Sequence, residues 1–324
     1  MPTKFLTIIV AALVTAICLT GCGTTATDQD TPPVRGIYHW KNTYNPTPWE
    51  RQFLKEHNIQ RLYIRLFDVA PNPEYPTDYP IIPIATTYFL QPLPDSMEIV
   101  PCIYITNDAL KQNNQTDLLA TRIHDRIFAM SDCNGFSFRE VQLDCDWTTS
   151  TRDRYYALCK NLRQRLAHKK ITLSSTMRLY QLTDTALSNL PVDRTTLMCY
   201  NLGGLQDYHR KNSILEYSVA KQFLKLAKSL PQNMDVAYPT FGWGVAFTRH
   251  NGEYIYSGLL HYPDINDTTF DHIREEHGET SQILKVQDHL ATMHHAPHTT
   301  IIYHLDSANL SYYTHDEIEQ ILSR

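Results

Sequence analysis

Eight short apolar segments, each followed by a helical or irregular crossover, predict an α/β fold, a (β/α)8 TIM barrel, for this 324-residue chain. Two further observations favour a closed ring over a doubly wound open sheet. The alternation continues without an internal linker, and no Gly-rich phosphate turn follows the first strand. At 42% apolar residues, the composition allows one large core.

Arg35 to Trp40 reads as the first strand. Thr47-Pro48-Trp49-Glu50 is a capping box with proline at the first helical position, opening a helix to about His57. The second strand is Ile59 to Asp68, and seven prolines between Val69 and Pro94 predict an irregular connection with no helix. Glu98 to Thr106 is the third strand, and Leu118, Ile123 and Ile127 place a helix over Asp117 to Ala129. The fourth strand is Val141 to Thr148. Ser150 and Asp153 start a helix whose Tyr155, Leu158, Cys159, Leu162 and Leu166 form one stripe.

Lys170 to Met177 is the fifth strand, followed by a short helical segment near Asp184 to Leu190, and Thr195 to Tyr200 is the sixth. A long amphipathic helix over Ile214 to Leu230 stops at Pro231. The seventh strand, Met234 to Phe241, leads into a polar and aromatic insertion over Val245 to Thr269, read as a hairpin through Gly252. Gln282 to Met293 is helical, His298 to Leu305 is the eighth strand, and Thr314 with Glu317 caps a final helix.

The N-terminus reads as an export signal. Lys4 precedes an apolar run from Phe5 to Leu19, short for a membrane span and right for a signal-peptide core. It ends in Leu19-Thr20-Gly21-Cys22, which resembles the bacterial lipobox, in which the leader is cut before a cysteine that then carries lipid. This implies a leader over 1–21, lipidation (palmitate among the acyl groups) at Cys22, a polar tether over 22–33, and a barrel over 34–324 held to a membrane face. Cys18 falls in the leader. Cys102, Cys133, Cys145, Cys159 and Cys199 remain, an odd number placed in apolar segments, which suggests buried thiols more than a disulfide framework.

The formal net charge of -5 arises from 29 basic and 34 acidic residues spread along the chain, with no basic cluster to track phosphates, so nucleic acid is not expected as a partner. The 20 tyrosines and 4 tryptophans offer faces for sugar rings as well as core packing.

Chemistry concentrates at the fourth strand. Its period of two sends Gln142, Asp144, Asp146 and Thr148 to one face and Val141, Leu143, Cys145 and Trp147 to the other. Two carboxylates two residues apart repel unless a site uses them; in a barrel that site is the mouth at the C-terminal strand ends. The residues there are Trp40, Asp68, Asn107, Asp108, Asp146, Arg178, Asn201, Trp243 and Asp306. Asp68, Asp108 and Asp306 are equally placed to cap helices. Arg65, inward by parity with Tyr63 and Phe67, is placed to hold one acid ionised.

Leu143-Asp144-Cys145-Asp146-Trp147 resembles the fourth-strand DxDxE signature of the chitinase-like barrels, glycoside hydrolase family 18 and its relatives. Met198-Cys199-Tyr200-Asn201 is similar to that superfamily's M-x-Y-D sixth strand, and Tyr238-Pro239-Thr240-Phe241-Gly242-Trp243 to its P-x-Y-G seventh. The strand with its leading Gln142 also looks like a set of bacterial barrel domains related to the superfamily. The resemblance implies a carbohydrate ligand, Asp146 as the carboxylate that orients an N-acetyl group, and Tyr200 as its hydrogen-bond donor. Four positions depart from the pattern. Thr148 replaces the proton-donating glutamate, Val141-Gln142 the leading Asp-Gly, and Asn201 the sixth-strand Asp.

Threonine cannot supply that proton at useful rates, so catalysis needs another acid. Asp144 and Asp146, roughly 6–7 Å apart by strand rise, fall near glycosidase separations and would titrate as a pair. Asp68 or Asp306 could be the second carboxyl. The expectation is a glycoside hydrolase-like lipoprotein of the cell envelope with Asp144, Asp146 and Tyr200 as catalytic residues. Trp40, Arg65, Asp68, Arg178, Asn201, Tyr238, Trp243 and Asp306 would bind substrate. The alternative is a barrel that binds glycan without cleaving it. No cofactor is expected, and no metal, since His294, His295 and His298 have no adjacent acid.

Overall fold

The computed structural model describes residues 32–74, 80–184, 187–227, 230–231, 233–261, 269–293 and 295–324. The leader, Cys22, the tether up to Thr31 and His294 lie outside the described residues.

Eight parallel strands close into a ring. They are β1 (Val34–His39), β2 (Arg61–Pro71), β3 (Glu98–Ile105), β4 (Glu140–Asp144), β5 (Thr172–Arg178), β6 (Arg194–Met198), β7 (Met234–Pro239) and β8 (Thr299–Tyr303). Each pairs with its sequence neighbours, and β1 closes the ring by pairing with both β8 (Gly36 opposite Ile301) and β2 (Gly36 opposite Arg61). The fit at Gly36 is tight: a Cβ would meet the side chains of Tyr63 at 3.0 Å and of Ile301 and Thr299 at 3.2 Å, so these would have to give by a few tenths of an ångström. The expected (β/α)8 barrel is the fold.

The local signals explain the outer layer. Helix α1 (Pro48–Glu56) carries both bonds of the capping box, 3.1 Å from the Glu50 amide to Thr47 Oγ1 and 2.7 Å from the Thr47 amide to Glu50 Oε2. Helices α2 (Asn107–Gln112) and α3 (Thr116–Asn134) follow β3, and Gly135, at φ 67°, ends α3 in the left-handed region. In α4 (Arg152–Ala167) all five residues of the stripe from Tyr155 to Leu166 are fully buried. Helices α6 (Thr280–Thr292), α7 (Ser307–Leu310) and α8 (His315–Leu322) complete the layer, α8 with a second capping box at Thr314 and Glu317.

Helix α5 (Tyr217–Leu226) is shorter than expected. The Asn212 side chain accepts from the amides of Ile214 and Leu215, at 2.9 and 3.3 Å, and so diverts the chain from helix there. The segment near Asp184 is two 3-10 turns, Leu179–Thr183 and Leu187–Asn189. Before it reaches Ile81–Ile84, the proline-rich connection extends β2, and the two pair antiparallel; among its described residues there is no helix.

The insertion is the expected hairpin, Gly242–His250 with Glu253–Leu260, turning at Asn251 and Gly252 with φ 50° and 90°. A third strand, His272–His277, pairs along its other side.

The barrel interior is layered. At the N-terminal end Arg61 meets Glu98 and Glu140, and Arg194 meets Asp235. In the middle, Tyr38 donates to Gln142 Oε1 (2.6 Å), and Gln142 Nε2 donates to Thr196 Oγ1 (3.0 Å). The C-terminal layer opens to solvent.

Candidate functional site at the barrel mouth

The fourth strand is shorter than its sequence period suggested. Asp144, opposite Tyr104 of β3, is its last residue. Beyond it the carbonyls bond to side chains: Asn107 Nδ2 donates to the Asp146 carbonyl, and Gln181 Nε2 (2.9 Å) and the Tyr180 hydroxyl (3.3 Å) donate to that of Trp147. Asn107 in turn accepts from the Thr151 hydroxyl at 2.7 Å. The pair is therefore one strand residue and one clamped loop residue, and both still face the mouth. Thr148 is exposed, bound to Ser150 and Thr151, and does not line the cavity.

That cavity, about 250 Å³, is lined by Trp40, Arg65, Asp68, Tyr104, Asp144, Asp146, Arg178, Met198, Tyr200, Asn201 and Tyr303. It is smaller than the roughly 300–1,000 Å³ of drug-sized sites, so it suits one ring of a chain. Two ion pairs flank it. Arg65 grips Asp68 bidentately, through Nε to Oδ1 at 2.7 Å and through Nη2 to Oδ2. On the other side Arg178 grips Asp146, Nε to Oδ1 at 2.5 Å and Nη2 to Oδ2 at 3.3 Å.

Asp144 lies between them, 3% exposed, accepting a 2.6 Å hydrogen bond from the Thr176 hydroxyl. Burial pushes its carboxyl up to about 6; Arg178 opposes the rise and Asp146 adds to it. Two donors are left over. Arg178 Nη1 and the Tyr200 hydroxyl are buried with no hydrogen-bond partner among the described residues. Aromatic faces form the wall: Tyr303 packs against Trp40 (5.9 Å between centroids) and Tyr200 (5.2 Å), and each arginine lies 5.6 Å from a ring centroid, Arg65 over Trp40 and Arg178 over Tyr200. Asn201 reaches the rim in the left-handed region, at φ 57°, which asparagine tolerates.

Eight of the eleven sequence-derived candidates within the described residues meet here; Tyr238, Trp243 and Asp306 do not line the cavity. Tyr238 is buried beside Gln287 of α6, outside the ring. Trp243 belongs to the inserted sheet, where its Nε1 donates to Glu276 Oε2 at 3.0 Å. Asp306 caps α7, accepting from the Asn309 amide at 3.0 Å, and pairs with Lys41 at 2.8 Å. Sequence reasoning passed over Tyr104, Met198 and Tyr303. Tyr104 shares inward parity with Cys102, and Tyr303 ends the eighth strand, so both were within reach of the same parity rule.

Among the described residues one group has metal-ligand spacing, His57, His315 and Glu319 at the N-terminal end of the barrel. Glu319 is already held there by His57 Nδ1 at 2.7 Å and by Arg35 at 2.9 Å. The cysteines Cys102, Cys133, Cys145, Cys159 and Cys199 are all free, and all but Cys133 are buried. No helix among the described residues is long and apolar enough to cross a membrane.

No protein-family model matches the chain, and no curated protein matches it. Solved structures do. A chitinase from Chromobacterium violaceum superposes with TM-score 0.58 at 10% identity, over 91% of this chain and 100% of that one. The class V chitinase of Nicotiana tobaccum gives TM-score 0.55 at 11% identity, over 90% and 99%. This chain has the chitinase-like barrel fold. The spore cortex-lytic enzyme of Bacillus cereus shares it too, with TM-score 0.55 at 13% identity, over 90% of this chain and 74% of that one. At these identities the likeness is one of fold.

Proposed function

We propose that this chitinase-like barrel is a glycoside hydrolase-like protein that takes one ring of a polysaccharide or glycoconjugate into the cavity between Asp68, Asp144 and Asp146. The observation that carries this reading is the buried Asp144 carboxyl, raised to about 6 at the floor of an aromatic-walled mouth. A carboxyl with that value holds its proton up to about pH 6 and serves there as a general acid, the part Thr148 cannot play. Asp146, paired with Arg178, stabilises positive charge at the sugar, and the Tyr200 hydroxyl, left without a partner among the described residues, donates to the sugar. Fold neighbours support the ligand class: the Nicotiana tobaccum class V chitinase has been solved, as a mutant, with NAG4.

A second reading, glycan binding without cleavage, is favoured by one observation: Thr148 stands outside the cavity, so no residue replaces the missing glutamate in place. Hydrolysis assays over a glycan panel separate the two. Turnover lost in Asp144→Asn supports the hydrolase; affinity by calorimetry without turnover supports the binder; neither affinity nor turnover with any glycan removes both.

We also propose that lipid on Cys22 holds the barrel at the cell envelope, on the strength of the lipobox-like Leu19-Thr20-Gly21-Cys22. A Cys22→Ser variant should move from the membrane fraction to the soluble one. Its retention on the membrane would remove the anchor.

A further inference from the structure

The charges around the cavity do not balance. Three carboxylates, Asp68, Asp144 and Asp146, face two guanidinium groups, Arg65 and Arg178. Each arginine spends its fork on one acid, Arg65 on Asp68 and Arg178 on Asp146. Among the described residues Asp144 receives the Thr176 hydroxyl and no cation in direct contact. A buried carboxylate without a charged partner is costly, and the chain leaves that position open on the cavity side.

The remaining lining fits a cation that also carries hydroxyl groups. Tyr104 and Tyr303 add aromatic surface beside the two rings that the arginines cover, and such surface attracts a desolvated ammonium. Arg178 Nη1 and the Tyr200 hydroxyl, both without acceptors, call for oxygen lone pairs on the same ligand. An acidic sugar would add a fourth negative charge beside Asp144 and Asp146. A neutral acetamido sugar would satisfy the donors and leave Asp144 without its counter-charge.

We propose that the ring bound in this cavity is a hexosamine with a free amine, its ammonium placed against Asp144 and its hydroxyl oxygens accepting from Arg178 Nη1 and Tyr200. The inference rests on the glycan reading above and names the sugar class within it. The raised carboxyl of Asp144 agrees with it, since burial and the neighbouring Asp146 are the influences a ligand cation would offset.

The test is calorimetry with a glucosamine tetramer and the matching N-acetylglucosamine tetramer, at pH 7 and pH 5, on the folded barrel and on two variants. Asp144→Asn removes the charge at the cavity. Asp288→Asn removes an exposed charge on α6 and controls for attraction of a cationic oligomer to the surface. The amine tetramer should bind at least tenfold more tightly at pH 7. That preference should shrink at pH 5 as Asp144 takes up a proton, vanish in Asp144→Asn, and persist in Asp288→Asn.

Equal or tighter binding of the acetylated tetramer to the unaltered protein overturns the amine assignment and leaves the glycan reading standing. So does a preference that survives in Asp144→Asn. If that variant does not fold, the pH dependence of the unaltered protein decides: an amine preference as large at pH 5 as at pH 7 overturns the proposal. Absence of binding by both tetramers and by every glycan of the wider panel removes the glycan reading itself.

Discussion

Arg178 reaches across the barrel mouth to Asp146 with two hydrogen bonds, one of 2.5 Å from Nε and one of 3.3 Å from Nη2, and its third nitrogen has no partner among the described residues. The same guanidinium is the main influence holding down the carboxyl of Asp144. One side chain thus pairs with one acid and opposes the burial-driven rise of the other.

Replacing it tests that coupling. Arg178→Gln leaves Asp146 without its cation and removes the opposing influence on Asp144. The Asp146 side chain keeps about a third of its surface in water (36%), so the loss of stability should fall below that of a fully buried pair, at about 1–3 kcal/mol. The Asp144 carboxyl should titrate above 6, which carbon-detected NMR of the side chain reads directly. An unchanged titration would show that the two groups are not coupled.

Asp144 itself predicts a pH dependence of stability. Its folded value, about 6, lies above the usual 3.8, so the folded state binds the proton more tightly. The contribution is fully present below about pH 4 and is lost as the pH rises through 6. The loss is on the order of 3 kcal/mol. Asn at position 144 should keep the bond from Thr176, raise the midpoint of urea unfolding at pH 7, and flatten the dependence between pH 4 and 6. A variant less stable than the parent at pH 7 would contradict this.

A second pair of groups acts in the opposite direction. Burial lowers His39 to about 3 and His304 to about 4, each lowered further by Lys41, and the Nδ1 atoms of both are buried without a partner among the described residues. Both stay neutral in the folded chain, while the unfolded chain protonates near 6.5. Their stability is therefore present above 6.5 and is lost as the pH falls toward 4, by on the order of 3 kcal/mol each. His39→Gln should shift the acid-unfolding midpoint downward, as followed by circular dichroism. An unchanged midpoint would remove His39 from the account.

These particulars show where the sequence was legible. The stripe of α4 and both capping boxes depend on spacing within one turn of helix, and they appear as read. The eight strands were legible as apolar segments, because a strand enclosed by helices must be apolar on its outer face. What period alone could not give was where a strand stops. β4 ends at Asp144 because Asn107, Tyr180 and Gln181, distant in sequence, take the carbonyls that a ladder would have used. Helix α5 starts late for a similar reason at Asn212. Position in the chain places Trp243 and Asp306 at the mouth and the seventh-strand motif adds Tyr238 to the site, but their actual surroundings come from Glu276, Lys41 and Gln287, which no local pattern reveals.

Gln142, two residues before Asp144 on the same strand face, has a part of its own in the middle of the barrel. It accepts from the Tyr38 hydroxyl at 2.6 Å and donates to Thr196 at 3.0 Å, with no solvent exposure. Gln142→Leu keeps the volume and strands the Tyr38 hydroxyl in a dry interior, at a cost of about 1–3 kcal/mol. Adding Tyr38→Phe removes the stranded group, so the double variant should be more stable than Gln142→Leu alone. Simple addition of two destabilising changes predicts the reverse order. Denaturant midpoints of the parent, the two single variants and the double variant decide between them, and additive losses would show that the Tyr38–Gln142 bond contributes nothing of its own.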